Sequence, residues 1–245
     1  MVGEYICTHQ LLYLHSKLTM NILIVSATYL EIEPLLLQFD FEREINQKLK
    51  SYTYNNHNID VLIPGVGMTF TAYWMGKTLS SNIYDIALNL GLAGSFDVNL
   101  TIGTTVHVTS DRISKLGAED GESFLSLVDM NLIVAEDFIL NQGEMINTIQ
   151  VKNPIIDKLE KASALTVNTA HGDENSIQKI KTLFNPQVES MEGAAFFYAC
   201  LFEGITCSQI RTISNKVEKR NRDSWNITLA VKNLCDTGLQ ILNTL

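Results

Sequence analysis

Cysteine is scarce. Four occur in 245 residues, as Cys7, Cys200, Cys207 and Cys235, with no CxxC spacing and no His pairing of the zinc-ligand kind. They are too few and too scattered for a disulfide framework or a zinc site, and a reducing, cytoplasmic setting is expected. Positive charge is also short. Lys and Arg total 18 against 27 Asp and Glu, a net charge of −9, which argues against a surface that tracks nucleic-acid phosphates. No run approaches 18 uninterrupted apolar residues, so no membrane span is expected. The five histidines form no HExxH or similar cluster. Neither GxGxxG nor GxxxxGK[ST] occurs, which sets aside dinucleotide and P-loop readings. What is present is 46 % hydrophobic residues. That rules out a disordered chain and suffices to bury a sizeable core.

Residues 1–19 lack the basic start and clean apolar run of a signal peptide. They read as an extension outside the fold, with a surface helix as the alternative; residues 20–245 read as one domain. Ile22–Val25 predicts a buried strand. Residues 29–38 predict a helix, with Pro34 tolerated in its first turn. Runs 49–56 (LKSYTYNN) and 58–64 (NIDVLIP) predict a hairpin across Asn55–Asn58. A helix is expected over 69–81, then strands over 86–94 and 104–110. Residues 115–150 read as long loops with a strand near 131–135. Beyond Pro154 come a short helix (155–162), a strand (164–170), helices over 174–183 and 190–203, and a strand (207–214). The last helix, 222–243, has Ile227, Val231, Leu234, Gly238 and Ile241 at helical spacing. Strands alternating with helices predict an α/β sandwich around a mixed, mostly parallel sheet.

Ligands in such folds sit beyond the carboxyl ends of the strands. That rule draws attention to the glycine turns Gly65-Val66-Gly67 and Gly91-Leu92-Ala93-Gly94, where backbone can approach a ligand closely. Glu192 is the sole charge between Ser190 and Phe202. With Ser190 as cap it falls at the second helical position, where the helix dipole favours the ionised carboxylate. Such a group suits a grip on two sugar hydroxyls. Glu31 and Glu33 both follow the first strand. Positions two apart on a helix face different ways, so at most one points at a site above the sheet, and chemistry alone does not say which. Arg211–Arg222 carries five basic residues against one Glu. Asn215 ends its strand, and Trp225 beyond it completes an amide-plus-aromatic arrangement for a heterocycle.

These segments together resemble the nucleoside phosphorylase/nucleosidase superfamily, and within it the futalosine hydrolases. Val188–Ala195 (VESMEGAA) is similar to the ribose-binding Met-Glu motif, Ile210–Asn215 to the base-recognition strand, and Arg222–Ile227 and Leu116–Gly121 to segments of that subgroup. The resemblance implies a phosphorylase-like three-layer α/β/α sandwich. It also implies a homodimer or larger homo-oligomer acting on a small nucleoside, with no metal or organic cofactor. Glu31 rather than Glu33 matches the water-activating glutamate. Ala93 and Gly94 match the turn beside sugar and base, and Met191 and Glu192 match the ribose contacts. Arg222 and Trp225 fall in the substrate segment. Asn215 stands where adenine-specific nucleosidases carry Asp. Hypoxanthine offers two acceptors, O6 and N7, and an amide NH2 offers two donors with no charge to repel them. Asn215 therefore favours a 6-oxopurine. The implied reaction is hydrolysis of futalosine to dehypoxanthine futalosine and hypoxanthine, in menaquinone biosynthesis. Its rivals are a methylthioadenosine/adenosylhomocysteine-type nucleosidase, a purine nucleoside phosphorylase and, outside enzymes, a nucleoside-binding protein. A phosphorylase needs cations at its phosphate site, and Ser26–Glu33 has none.

Overall fold

The computed structural model describes residues 19–133 and 139–245. The expected extension, residues 1–19, lies outside the described residues except for Thr19. Strand β1 (Asn21–Val25) is buried on both faces from Ile22 onward and leads into helix α1 (Tyr29–Leu36). Three strands follow: β2 (Asp40–Asn46), β3 (Leu49–Tyr54) and β4 (His57–Leu62). Asn55 and Asn56 turn the β3–β4 hairpin with positive φ, a conformation that Asn tolerates. Helix α2 (Met68–Leu79) leads to β5 (Ile86–Ser95) and β6 (Thr105–Ile113). A small hairpin, β7 (Gly117–Asp120) with β8 (Ser123–Ser126), forms a separate sheet. Then come β9 (Leu140–Asn141), β10 (Glu144–Ile146), β11 (Glu160–Thr166), α3 (Glu174–Phe184), β12 (Val188–Ser190), α4 (Gly193–Phe202), β13 (Cys207–Lys216) and α5 (Ile227–Asn243).

The central sheet is mixed. Parallel pairings join β4, β1, β5 and β13, and also β12, β11 and β6. Antiparallel pairings of β13 with β6 and of β12 with β5 connect these two groups, so β5, β13, β6, β11 and β12 close a ring. Helices cover both faces: α1 packs with α5, and α2 with α4. One apolar cluster (Ile22, Ile24, Ile32, Leu35, Leu234, Ile241) sits under the α1–α5 layer. Another (Leu23, Val25, Met75, Phe196, Phe197, Cys200) sits under the α2–α4 layer. Neighbouring residues of β1 thus feed opposite layers, as strand alternation requires. The expected α/β sandwich and its phosphorylase-like architecture hold.

Several boundaries differ from expectation. Strand β2 was not anticipated, because an exposed edge strand carries no apolar alternation. Pro34 lies in the second turn of α1, not the first. The expected helix 155–162 is a 3-10 turn over Ile156–Lys158, and β11 already begins at Glu160. Of the strand expected near 131–135, residues 131–133 form turn and bend, and 134–135 lie outside the described residues. The helix expected from 190 starts at Gly193, since Ser190 closes β12. The last helix starts at Ile227, where the Asn226 side chain accepts the Leu229 N–H at 3.0 Å. The preceding Arg222–Ser224 is a separate 3-10 turn. Among the described residues no helix is long and apolar enough to cross a membrane.

Candidate active site

A cavity of about 290 Å³ opens at the carboxyl ends of β1, β5 and β13, and Glu31, Ala93, Gly94, Met191, Glu192, Asn215 and Trp225 all line it. Glu31 enters from the first turn of α1. Thr28 precedes that helix in extended backbone, and one Glu31 carboxylate oxygen accepts both the Thr28 N–H (2.9 Å) and its hydroxyl (3.0 Å). This is the return arm of a capping box. The other oxygen accepts the Leu92 N–H at 3.1 Å. The ends of two neighbouring strands therefore fix one carboxylate. Glu33 is exposed and lines a different surface hollow, beside Pro34 and Gln38.

Glu192 reaches the cavity from a position other than the one expected. It is the N-cap of α4, and its own side chain makes no capping bond. The Ala194 N–H goes instead to the Thr166 hydroxyl at 2.8 Å. That substitution frees the Glu192 carboxylate, which accepts the Gly67 N–H at 3.0 Å and faces Arg211 Nη1 at 3.8 Å. Gly67 holds φ +108°, a conformation that favours glycine. Burial pushes the Glu192 carboxyl up, Arg211 opposes that shift, and the nearby Glu31 charge adds to it.

Arg211 was not singled out as a site residue, yet it organises this wall. It is fully buried on β13. Its Nε–H donates to Gln209 Oε1 at 3.0 Å, and its Nη2 donates to Asn89 Oδ1. Gln209 in turn donates to Asp111 at 3.1 Å, and Asp111 accepts from the Thr166 hydroxyl at 2.9 Å. The guanidinium lies on Gly91, where a Cβ would overlap Nη1 and come within 3.4 Å of a Glu31 oxygen. A Cβ on Gly193 would overlap Gln209 and Asp111. Both glycines are thus required by close approach. The signal for this network was a polar pair at i and i+2, Gln209 and Arg211, inside a strand that the structure buries from Cys207 to Ser214.

Asn215 follows a β-bulge. Ile213 pairs with Ala93 and Asn215 with Gly94, so Ser214 is the extra residue that re-aims its neighbour. The Ser214 hydroxyl donates to Asn215 Oδ1 at 2.8 Å, and Asn215 Nδ2 donates to the Lys216 carbonyl at 2.9 Å. One amide proton therefore remains for a ligand. Trp225 lines the cavity with Arg220 stacked over its ring at 5.1 Å. Arg222 is not brought to the cavity: it is exposed in the 3-10 turn, and Arg220 lines the wall in its stead. Two further lining residues escaped the sequence reading. His171 Nδ1 meets Glu189 Oε2 at 2.7 Å, and the His171 N–H donates to the other Glu189 oxygen at 3.1 Å. Burial pushes the Glu189 carboxyl up, and the bonds from His171 oppose that shift.

The chain is similar to the futalosine hydrolase of Acidothermus cellulolyticus, 26 % identical over 180 residues and covering 71 % of each chain. It is similar to the aminodeoxyfutalosine nucleosidase of Campylobacter jejuni, 24 % identical over 212 residues, covering 82 % of this chain and 88 % of that one. A Helicobacter pylori MTAN variant crystallised with 5′-methylthioadenosine in its active site superposes with a TM-score of 0.74. That likeness covers 92 % of this chain and 99 % of the other, at 18 % identity. The sequence pattern of the Phosphorylase superfamily matches residues 21–243. A match of that extent, over the sheet and cavity just described, means that the chain belongs to the phosphorylase superfamily.

Proposed function

We propose that this protein is a purine nucleosidase of the futalosine hydrolase type, which cleaves the N-glycosidic bond of futalosine with water to give hypoxanthine and dehypoxanthine futalosine. Glu31 takes a proton from water held below C1′ as the bond to the base breaks. Glu192 binds the 2′- and 3′-hydroxyls and stabilises the cationic sugar of the transition state. Asn215 donates a hydrogen bond to the departing hypoxanthine. The observation that carries the reading is the neutral amide of Asn215 in one cavity with Glu31 and Glu192. An amide donor suits the O6 and N7 acceptors of a 6-oxopurine. Hydrolysis rather than phosphorolysis is supported by Glu31, whose carboxylate occupies the turn after β1, and by Arg211, whose guanidinium is engaged by Asn89, Gln209 and Glu192.

The similarity to an aminodeoxyfutalosine nucleosidase over 82 % of the chain favours a second reading, with a 6-aminopurine as leaving base. One experiment separates the two. Purified protein is incubated with futalosine, aminodeoxyfutalosine, methylthioadenosine and inosine, with and without phosphate, and the free base is measured. The expected result is hypoxanthine from futalosine at a rate independent of phosphate. Faster release of adenine from aminodeoxyfutalosine would favour the second reading. Dependence on phosphate would make the protein a phosphorylase, and no release from any substrate would leave a binding protein.

A further inference from the structure

Asp111 takes no part in the chemistry set out above. It is fully buried on β6 and does not line the cavity. A buried carboxylate is costly unless its oxygens are bonded. Here Oδ1 accepts the Thr166 hydroxyl, Oδ2 accepts the Gln209 amide, and the Arg112 N–H adds a further bond. Burial pushes its pKa up to about 6, so the group is charged at neutral pH.

Each bond around it has only one possible direction. An ionised carboxylate accepts and never donates, and a guanidinium donates and never accepts. Gln209 bridges the two. Its Nε2 must therefore face Asp111 and its Oε1 must face Arg211 Nε, at 3.1 and 3.0 Å. With Nε held there and Nη2 on Asn89, Nη1 is the nitrogen turned toward Glu192. On the other arm, Thr166 gives its one hydroxyl proton to Asp111, so its lone pairs are left for the Ala194 N–H. Ala194 is the second residue of α4, and an N-cap side chain ordinarily accepts the N–H at that position. Glu192 is that N-cap. Without the Thr166 oxygen, the Glu192 carboxylate would be drawn back onto its own helix and away from the Gly67 N–H. Both arms thus end on Glu192. Gly193, next in the chain, lies directly on the Gln209–Asp111 contact, where a Cβ would overlap both side chains.

We propose that Asp111 is a positioning residue for the sugar-binding carboxylate: by fixing the direction of the Thr166 hydroxyl and of the Gln209 amide, it holds Glu192 off the end of α4 and beside Arg211, aimed at the 2′- and 3′-hydroxyls of the ribose. This role rests on the reading of Glu192 given above and not on the identity of the base. A neutral amide at position 111 would satisfy only one arm, because its oxygen accepts from either Gln209 or Thr166 and its NH2 then confronts the other. Facing Gln209, the NH2 would turn that amide over and bring two donors together at Arg211 Nε. Facing Thr166, it would occupy a hydroxyl lone pair and leave the hydroxyl proton without its acceptor.

The test is recognition of the ribose. At neutral pH, kcat/KM is measured for futalosine and its 2′-deoxy analogue with the unaltered protein, Asp111→Asn, Thr166→Val, Thr166→Ser and Gln209→Met. If the free-base assay above selects aminodeoxyfutalosine, that nucleoside and its 2′-deoxy analogue are compared instead. The unaltered protein should prefer the ribonucleoside by about 10- to 100-fold, the effect of one hydrogen bond to a charged group. In Asp111→Asn the preference should fall to about three-fold or less, chiefly by loss on the ribonucleoside. Thr166→Val and Gln209→Met cut the arms one at a time, and each should lower the preference, so the role stays testable even where Asp111→Asn fails to fold. Thr166→Ser keeps the hydroxyl and should restore what Thr166→Val loses. Equal losses on both nucleosides, or a preference unchanged by cutting either arm, would overturn the role of Asp111 and leave the reading of Glu192 intact. Indifference of the unaltered protein to the 2′-hydroxyl would overturn the reading of Glu192 itself, and this role with it.

Discussion

Three donors, two on Thr28 and one on Leu92, hold Glu31, and its place two positions before Glu33 decides its chemistry. Replacing Glu31 by Gln keeps the shape and removes the basic oxygen. Turnover should fall by about 10²–10⁴-fold, the typical loss of a general base, while calorimetric affinity for the nucleoside stays close to that of the unaltered protein. Glu33→Gln, on an exposed side chain, should keep near-full activity. The opposite pattern would put the base on the other face of α1. At this scale the sequence was partly readable. Glu192 stood out because an isolated charge in an apolar segment is rare. Asn215 stood out because it ends a strand. Arg211, Asn89, Gln209 and Asp111 did not stand out, because they are divided among three strands, Gln209 and Arg211 on β13, Asn89 on β5 and Asp111 on β6. Only the pairing of β5, β13 and β6 shows that they form a chain of bonds. Glu189 was hidden for the same reason, since its partners His171 and Gly94 are distant in sequence.

Among the elements, those with a strong period or apolar run were legible: β1, β5, β13, α2, α3 and the body of α5. Those set by local bonds were not. Glu192 caps α4 where Ser190 was expected, because Thr166 supplies the bond to Ala194. The bulge at Ser214 leaves no trace in the pattern of β13, yet it aims Asn215. The segment from Lys216 to Trp225 is the clearest case. The resemblance placed Arg222 in the substrate segment, and the basic run as a whole (Lys216, Lys219, Arg220, Arg222) suggested a grip on a carboxylate; the 3-10 turn at Arg222–Ser224 leaves Arg222 exposed, and Arg220 packs on Trp225. We expect Arg220, with Lys216 beside it on the cavity wall, to hold the carboxylate end of the proposed substrate. Arg220→Ala should raise KM for futalosine by about 10-fold, as loss of a charge-assisted hydrogen bond implies. It should leave KM for inosine, which lacks the carboxylate, nearly unchanged. An equal rise for both nucleosides would mean that Arg220 supports Trp225 instead of gripping the substrate.

Over the whole molecule, two buried groups on β6 respond to acid in opposite directions. His107 is 2 % exposed, and its Nε2 has no partner among the described residues. Burial, reinforced by Lys161, pushes its pKa down from 6.5 to about 4. The unfolded chain takes up that proton first as pH falls, so acidification through this window favours unfolding, and the stability due to neutral His107 is lost by about pH 4. Asp111 is fully buried, and burial pushes its pKa up from 3.8 to about 6 despite its bonds to Gln209 and Thr166. The folded protein takes up that proton first, so its contribution is fully present below pH 3.8 and is lost as pH rises through about 6. At about 1.4 kcal/mol per pH unit, each contribution is about 3 kcal/mol, and the two nearly offset between pH 4 and 6. Single substitutions should expose each half. Relative to the unaltered protein, the Tm of His107→Gln should improve as pH is lowered from 7.5 to 4, and that of Asp111→Asn should worsen. At about 3 kcal/mol and 2–4 °C per kcal/mol for a chain of this size, each divergence should reach about 6–12 °C. Tm differences that stay flat over the range would mean that both groups titrate alike in the folded and unfolded chains. Asp111 also links through Gln209 to Arg211 and so to Glu192. Its protonation near pH 6 removes negative charge from the network behind the cavity, leaving Glu192 and Glu31 to balance the Arg211 guanidinium.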